Sequence, residues 1–111
     1  MRLNNKKGVN MDVCNIGGLK VTMTDATMIM RAHDDEDLSY TLEEDSPAWM
    51  RTSTEMMVIS GVLERDGSEG KWWDEWSLSE AGVEFMGVPG NYDDIKKLAD
   101  MAAASPELWS K

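Results

Sequence analysis

A chain of 111 residues has room for one modest hydrophobic core, and 41% apolar with 29% charged residues is the balance of a globular rather than a disordered protein. The formal charge of −10 makes a surface that repels nucleic acid and anionic membrane and favours basic partners. The single cysteine, Cys14, excludes an internal disulfide and is read as a small buried or half-buried thiol, and no apolar run reaches the length of a signal peptide or a bilayer span, so a cytoplasmic protein is expected.

Residues 1–10 carry Arg2, Lys6 and Lys7 with only Leu3 and Val9 as apolar side chains after the initiator, and 1–16 are expected to form a flexible tail, with 17–111 as a single domain. After Gly17-Gly18, Leu19, Val21 and Met23 alternate with Lys20 and Thr22, which predicts a strand. Thr24 offers a helix N-cap, and a first helix over Asp25 to His33 would turn Met28, Ile29 and Ala32 inward. Asp37 is a candidate cap for a second, short helix in which Leu38 and Leu42 share a face. Ser46-Pro47 predicts a third helix start, serine as cap and proline at the first helical position. From there to Ser60, residues Trp49, Thr52, Met56 and Ile59 recur at helical spacing and are read as the core face, with Gly61 as a left-handed stop. A competing parse begins that helix at Thr52, with Thr52-Ser53-Thr54-Glu55 as a capping box.

A hairpin follows: one arm over Val62 to Asp66, a turn at Gly67-Ser68-Glu69-Gly70, and a return arm from Lys71 or Trp72 to Leu78. Ser77-Leu78-Ser79-Glu80 has the pattern of a capping box before a short helix through Phe85 and Met86. Asn91 can cap a last helix with an apolar stripe of Ile95, Leu98, Met101 and Ala102, ending at Ser105-Pro106.

The runs Gly61-Val62-Leu63-Glu64-Arg65-Asp66-Gly67 and Glu75-Trp76-Ser77-Leu78-Ser79-Glu80-Ala81-Gly82 resemble the wing of a winged helix-turn-helix domain. In that family a helix ends at glycine, a strand of the type Gly-Leu-Val-Glu-Arg follows, and a second strand ending in Leu-Thr/Ser-x-x-Gly enters a helix. The resemblance covers about 24–86 and is most specific over 61–82. It implies an α+β, mainly helical fold: a three-helix core, a β-hairpin wing and a C-terminal helix or helices, with the helix over 46–60 as the recognition helix.

Enzyme chemistry finds little support. His33 is the only histidine, so paired-histidine metal sites and most acid–base relays lack a second member, and it is read as a surface or capping residue. No phosphate-binding glycine loop or nucleophile elbow occurs, and no cofactor or metal is expected. Asp34, Asp35, Glu36 and Asp37 with Glu43, Glu44 and Asp45 place seven acids within twelve residues. A calcium loop fails there, because Leu38 and Ser39 occupy its fifth and sixth positions. The remaining readings are a solvated acidic loop or an acidic docking surface.

The family resemblance puts 34–37 where DNA phosphate would lie. Two unit charges about 7 Å apart repel by roughly 0.6 kcal/mol in water, so several such pairs oppose DNA and would attract a basic groove. On the recognition helix Arg51, Thr54, Glu55 and Val58 are expected outward, and exposed Met50, Met57 or Val58 would suit a protein surface. Strand alternation sets Trp72, Trp76 and Leu78 toward the core and projects Trp73 outward as a candidate partner contact.

The expected function is therefore a protein-interaction module, an inhibitor or nucleic-acid mimic directed at a basic, nucleic-acid-binding protein through Trp73 and the seven acids. In charge and size the chain is similar to small acidic proteins of phages and mobile elements that block host nucleases or polymerases. The alternative implied by the family is a DNA-binding transcriptional regulator using Arg51, Thr54, Arg65 and Lys71, with the basic tail on phosphate. Monomer and homodimer both remain open, and no membrane contact is expected.

Overall fold

The computed structural model describes residues 13–65 and 74–105. It is an α+β fold with two small antiparallel sheets and four helices among those residues. The first sheet is a tight hairpin, β1 (Cys14–Ile16) and β2 (Leu19–Val21), turned by Gly17 and Gly18 at φ 56° and 87°. Both angles lie in the left-handed region that glycine adopts without a Cβ penalty. The sequence places Cys14–Ile16 in the tail; its register with Leu19–Val21 and the burial of Ile16 make it part of the fold instead.

Helix α1 (Met23–His33) begins two residues earlier than its sequence signal. Thr22, rather than Thr24, caps it: its Oγ1 accepts from the Asp25 N–H at 3.1 Å while the Asp25 carboxylate accepts from the Thr22 N–H at 3.0 Å. The reciprocal pair satisfies two otherwise orphaned donors. Ala26, Met28, Ile29, Met30 and Ala32 are all buried, more than one face of a helix can supply, so α1 is central and is covered by neighbours on several sides.

The segment after α1 corrects the expected second helix. Leu38 has φ 59° and Ser39–Leu42 form strand β3, with Tyr40 and Leu42 buried and Thr41 exposed. Leu38 and Leu42 are four apart, a spacing that satisfies a helix face and an even strand period alike. Tyr40 and Thr41 between them favour the strand. Three consecutive helices before the hairpin are thus replaced by helix, strand, helix.

Helix α2 (Ala48–Ile59) starts after Pro47, which has no side-chain capping bond. Ser46 instead accepts from the Glu43 N–H at 2.8 Å, closing the preceding turn, and the start at Thr52 does not occur. Gly61, at φ 92°, ends the helix as its sequence position requires. Strands β4 (Leu63–Arg65) and β5 (Asp74–Leu78) pair antiparallel, and β3 joins the other edge of β5, giving the order β3-β5-β4. Trp76 stands at the centre, opposite Tyr40 on one side and Arg65 on the other, and is buried with Leu78 as the alternation predicts. The turn at 67–70, Trp72, Trp73, Lys71 and residues 1–12 lie outside the described residues.

Helix α3 (Glu80–Met86) is capped by Ser79, not Ser77: its Oγ accepts from the Gly82 N–H at 2.9 Å. Gly82 presses on the Val62 carbonyl so closely that a Cβ would collide with that backbone oxygen. Helix α4 (Pro89–Ala103) starts at the proline, and Asn91, expected as its cap, donates through Nδ2 to the Phe85 carbonyl at 3.1 Å. Its Ile95, Leu98 and Ala102 are buried against the core, whereas Met101 is 49% exposed. No helix among the described residues is long and apolar enough to cross a membrane.

Candidate interaction surface

The seven acids singled out from the sequence flank β3. Residues 34–37 precede the strand and 43–45 follow it, and every one of those side chains is exposed. At about 3.3 Å per residue the four-residue strand separates the two groups by on the order of 13 Å. They are not equivalent. Asp35 organises its own turn, its Oδ2 accepting from the N–H groups of Asp37 at 2.8 Å and Ser39 at 3.4 Å. Asp34 faces the Nδ1 of His33 at 3.3 Å, and the His33 ring lies against Tyr92, 5.2 Å between centroids. Among the described residues no group of acids, histidines or cysteines is arranged to hold a metal ion.

Between β3 and β5 the sheet carries a cross-strand aromatic pair. Tyr40 and Trp76 are 6.3 Å apart, the Arg31 guanidinium lies 5.5 Å over the Tyr40 ring, and that of Arg51 lies 5.9 Å over Trp76. Arg51 also donates to the Glu43 carbonyl at 3.4 Å, and Arg31 reaches the Met50 sulfur at 3.5 Å. These arginines are held against aromatic faces, where cation–π attraction favours them, and Arg51 is tied to the loop that carries Glu43.

Two hydroxyl contacts fix how α2 sits. Thr54 is fully buried and shares a 2.5 Å hydrogen bond with the Tyr40 hydroxyl, and Ser53 donates to Thr24 Oγ1 at 2.9 Å. Thr24 in turn lies 3.1 Å from Thr22 Oγ1, so the start of α1 and the middle of α2 are joined through side-chain oxygens. Burial pushes the Tyr40 phenol from 10.0 up to about 12, against the smaller opposing effects of the Thr54 hydrogen bond and the Arg31 charge.

The buried face of α2 is therefore Ser53, Thr54 and Met57; of the expected core face, Trp49 stays half-buried against the core, while Thr52, Met56 and Ile59 turn outward. Met56 is 51% exposed and Ile59 79% exposed, and Thr52 is exposed as well. Met57 is buried, and Met50 and Val58 are half-buried rather than outward. The rotation removes Thr54 from any DNA contact, since its side chain is enclosed. Trp73 and Lys71 lie outside the described residues; Arg65 is exposed on β4. Sequence reasoning misses Met56 and Ile59 as surface residues because their recurrence with Trp49 and Thr52 at helical spacing fits a core face as well as the true one does. The sequence signal for the opposite phase is Met50, Met57 and Val58 at helical spacing, with the Ser53-Thr54 pair between them becoming buriable once Thr24 and Tyr40 supply partners.

Comparison with protein-family models, with curated proteins and with solved structures finds no match to this chain.

Proposed function

We propose that this chain is a small acidic protein-interaction module of winged-helix type that binds a basic, nucleic-acid-binding partner as an inhibitor or adaptor. The observation that carries the reading is the outward face of α2, the helix that would have to read DNA. It offers Met56 and Ile59 to solvent and turns Thr54 inward, and its only cation, Arg51, leans on Trp76 and the Glu43 carbonyl. An apolar helix face beside exposed carboxylates suits a protein surface and opposes a phosphate backbone. The winged-helix comparison is supported by the antiparallel β4–β5 pair between Gly61 and the Ser79-capped α3, and by the tight seat of Gly82 on Val62.

The exposed Arg65 on β4 favours a second reading, DNA-binding regulation through the hairpin. One experiment separates them. The tagged full chain is used to capture partners from cells that make it, in parallel with a triple Glu43→Lys, Glu44→Lys, Asp45→Lys variant, and each is titrated with fluorescent duplex DNA at low salt. Capture of one discrete protein by the parent and its loss in the variant supports protein interaction. Saturable, salt-sensitive DNA binding by the parent supports regulation and overturns the first reading.

A further inference from the structure

We propose that the C-terminal half of α2 and the adjoining α3 form one docking surface, whose occupant is a protein segment presenting an apolar side chain flanked by lysine or arginine. This inference rests on the protein-interaction reading and names the place and chemistry of the contact. Met56 and Ile59 are three residues apart and share the outward face of α2. Directly beyond Ile59 the backbone turns at Gly61 and is clasped by the start of α3: Ser79 donates its N–H to the Val62 carbonyl at 2.9 Å and its hydroxyl to the carbonyls of Gly61 and Val62. Gly82 seats α3 against the same carbonyl, and Val83, next along that helix, is 45% exposed. Three large apolar side chains thus stand exposed on two helices that are joined through the segment between α2 and β4, where Gly61 and Val62 hold Ser79 and Gly82.

Charge decides what covers them. Residues 55–61 and 80–86 contain Glu55, Glu80 and Glu84, all exposed, and no lysine or arginine. The last turn of α2 has no basic residue, so the negative end of its dipole adds to the same sign. A second copy of this chain would set those three carboxylates against their own counterparts, whereas a basic segment neutralises them as its apolar residue covers Ile59.

The test is a titration of the isotope-labelled full chain at near-physiological salt with two synthetic amphipathic helical peptides, one of leucine and lysine, the other of leucine and glutamate. The expected result is saturable movement of the amide signals of 56–61 and 80–86 with the lysine peptide alone. Affinity should fall by at least about tenfold in an Ile59→Glu, Val83→Glu variant whose spectrum stays dispersed, as loss of an apolar anchor at an interface centre does. Both substituted positions are exposed, so the fold tolerates the change. Movement confined to 34–37 and 43–45 would overturn this surface and leave the protein-interaction reading standing on the acidic loops. Equal response to both peptides, or concentration-dependent dimerisation abolished by Ile59→Glu, would overturn the basic occupant. Failure of the parent chain to capture any protein in the experiment above would remove the broader reading instead.

Discussion

Tyr40 on β3 and Thr54 on α2 hold each other through a 2.5 Å hydrogen bond between two buried hydroxyls. The contact ties the sheet to the helix and selects which face of α2 meets the core. With Ser53 bound to Thr24, it turns Met56 and Ile59 to solvent. The surface proposed to bind a partner is thus a consequence of polar satisfaction inside.

Tyr40→Phe should cost about 1–2 kcal/mol, because Thr54 keeps a buried hydroxyl that has lost its partner. Thr54→Val should cost a similar amount by stranding the phenol. In the double variant both ends of the bond are apolar, so the losses should fall short of their sum. Urea denaturation of the four chains gives the coupling; strict additivity would show the bond to be energetically empty.

Alkaline titration offers a separate check on the same residue. Burial holds the folded phenol up at about 12 against 10.0 when unfolded, so the folded state holds its proton more tightly. The stability linked to Tyr40 is full below pH 10 and is lost as the pH rises through about 12. Comparing parent with Tyr40→Phe across that window removes the contribution of other groups. The parent should lose stability more steeply, and parallel curves would contradict the assigned shift.

Two glycines should respond oppositely to alanine. Gly82→Ala sets a methyl against the Val62 carbonyl and should destabilise by roughly 1–3 kcal/mol as α3 is pushed off the hairpin base. Gly90 lies in α4 with open space where a Cβ would stand and no left-handed angle, so Gly90→Ala should stabilise by about 0.4–1 kcal/mol. Thermal melts of the two variants read the difference directly.

The acids divide in the same manner. Asp35→Ala removes the acceptor for the Asp37 and Ser39 N–H groups and should cost about 1 kcal/mol. Glu36→Lys, within the same turn, and Glu44→Lys alter exposed side chains, and should leave stability within about 0.5 kcal/mol while weakening capture of a basic partner. Unfolding curves together with capture yields distinguish a turn-forming carboxylate from one that meets the partner.

Local chemistry made much of this fold legible from the chain alone. Gly61 marked the end of α2, the alternation of Trp76 and Leu78 marked a half-buried strand, and Ile95, Leu98 and Ala102 marked the inner stripe of α4. The errors arose where two periods coincide or where burial depends on a distant partner. Leu38 and Leu42 fit helix and strand equally, and Ser53 and Thr54 look like surface residues until Thr24 and Tyr40 are brought beside them. Thr54 as a DNA contact failed for that reason, and the exposed Met56–Ile59 face was hidden by it. The acidic loops were visible as charge, but the role of Asp35 in shaping its own turn was not.

The most direct test places a photo-reactive amino acid at Ile59 in the full chain, inside cells that make it, with the same group at Lys97 on the exposed side of α4 as the reference. Cross-linking to one discrete protein from position 59 and not from 97 is the predicted result. Cross-linking from position 59 to nucleic acid, or the same pattern from both positions, would contradict a protein-binding role for the outward face of α2.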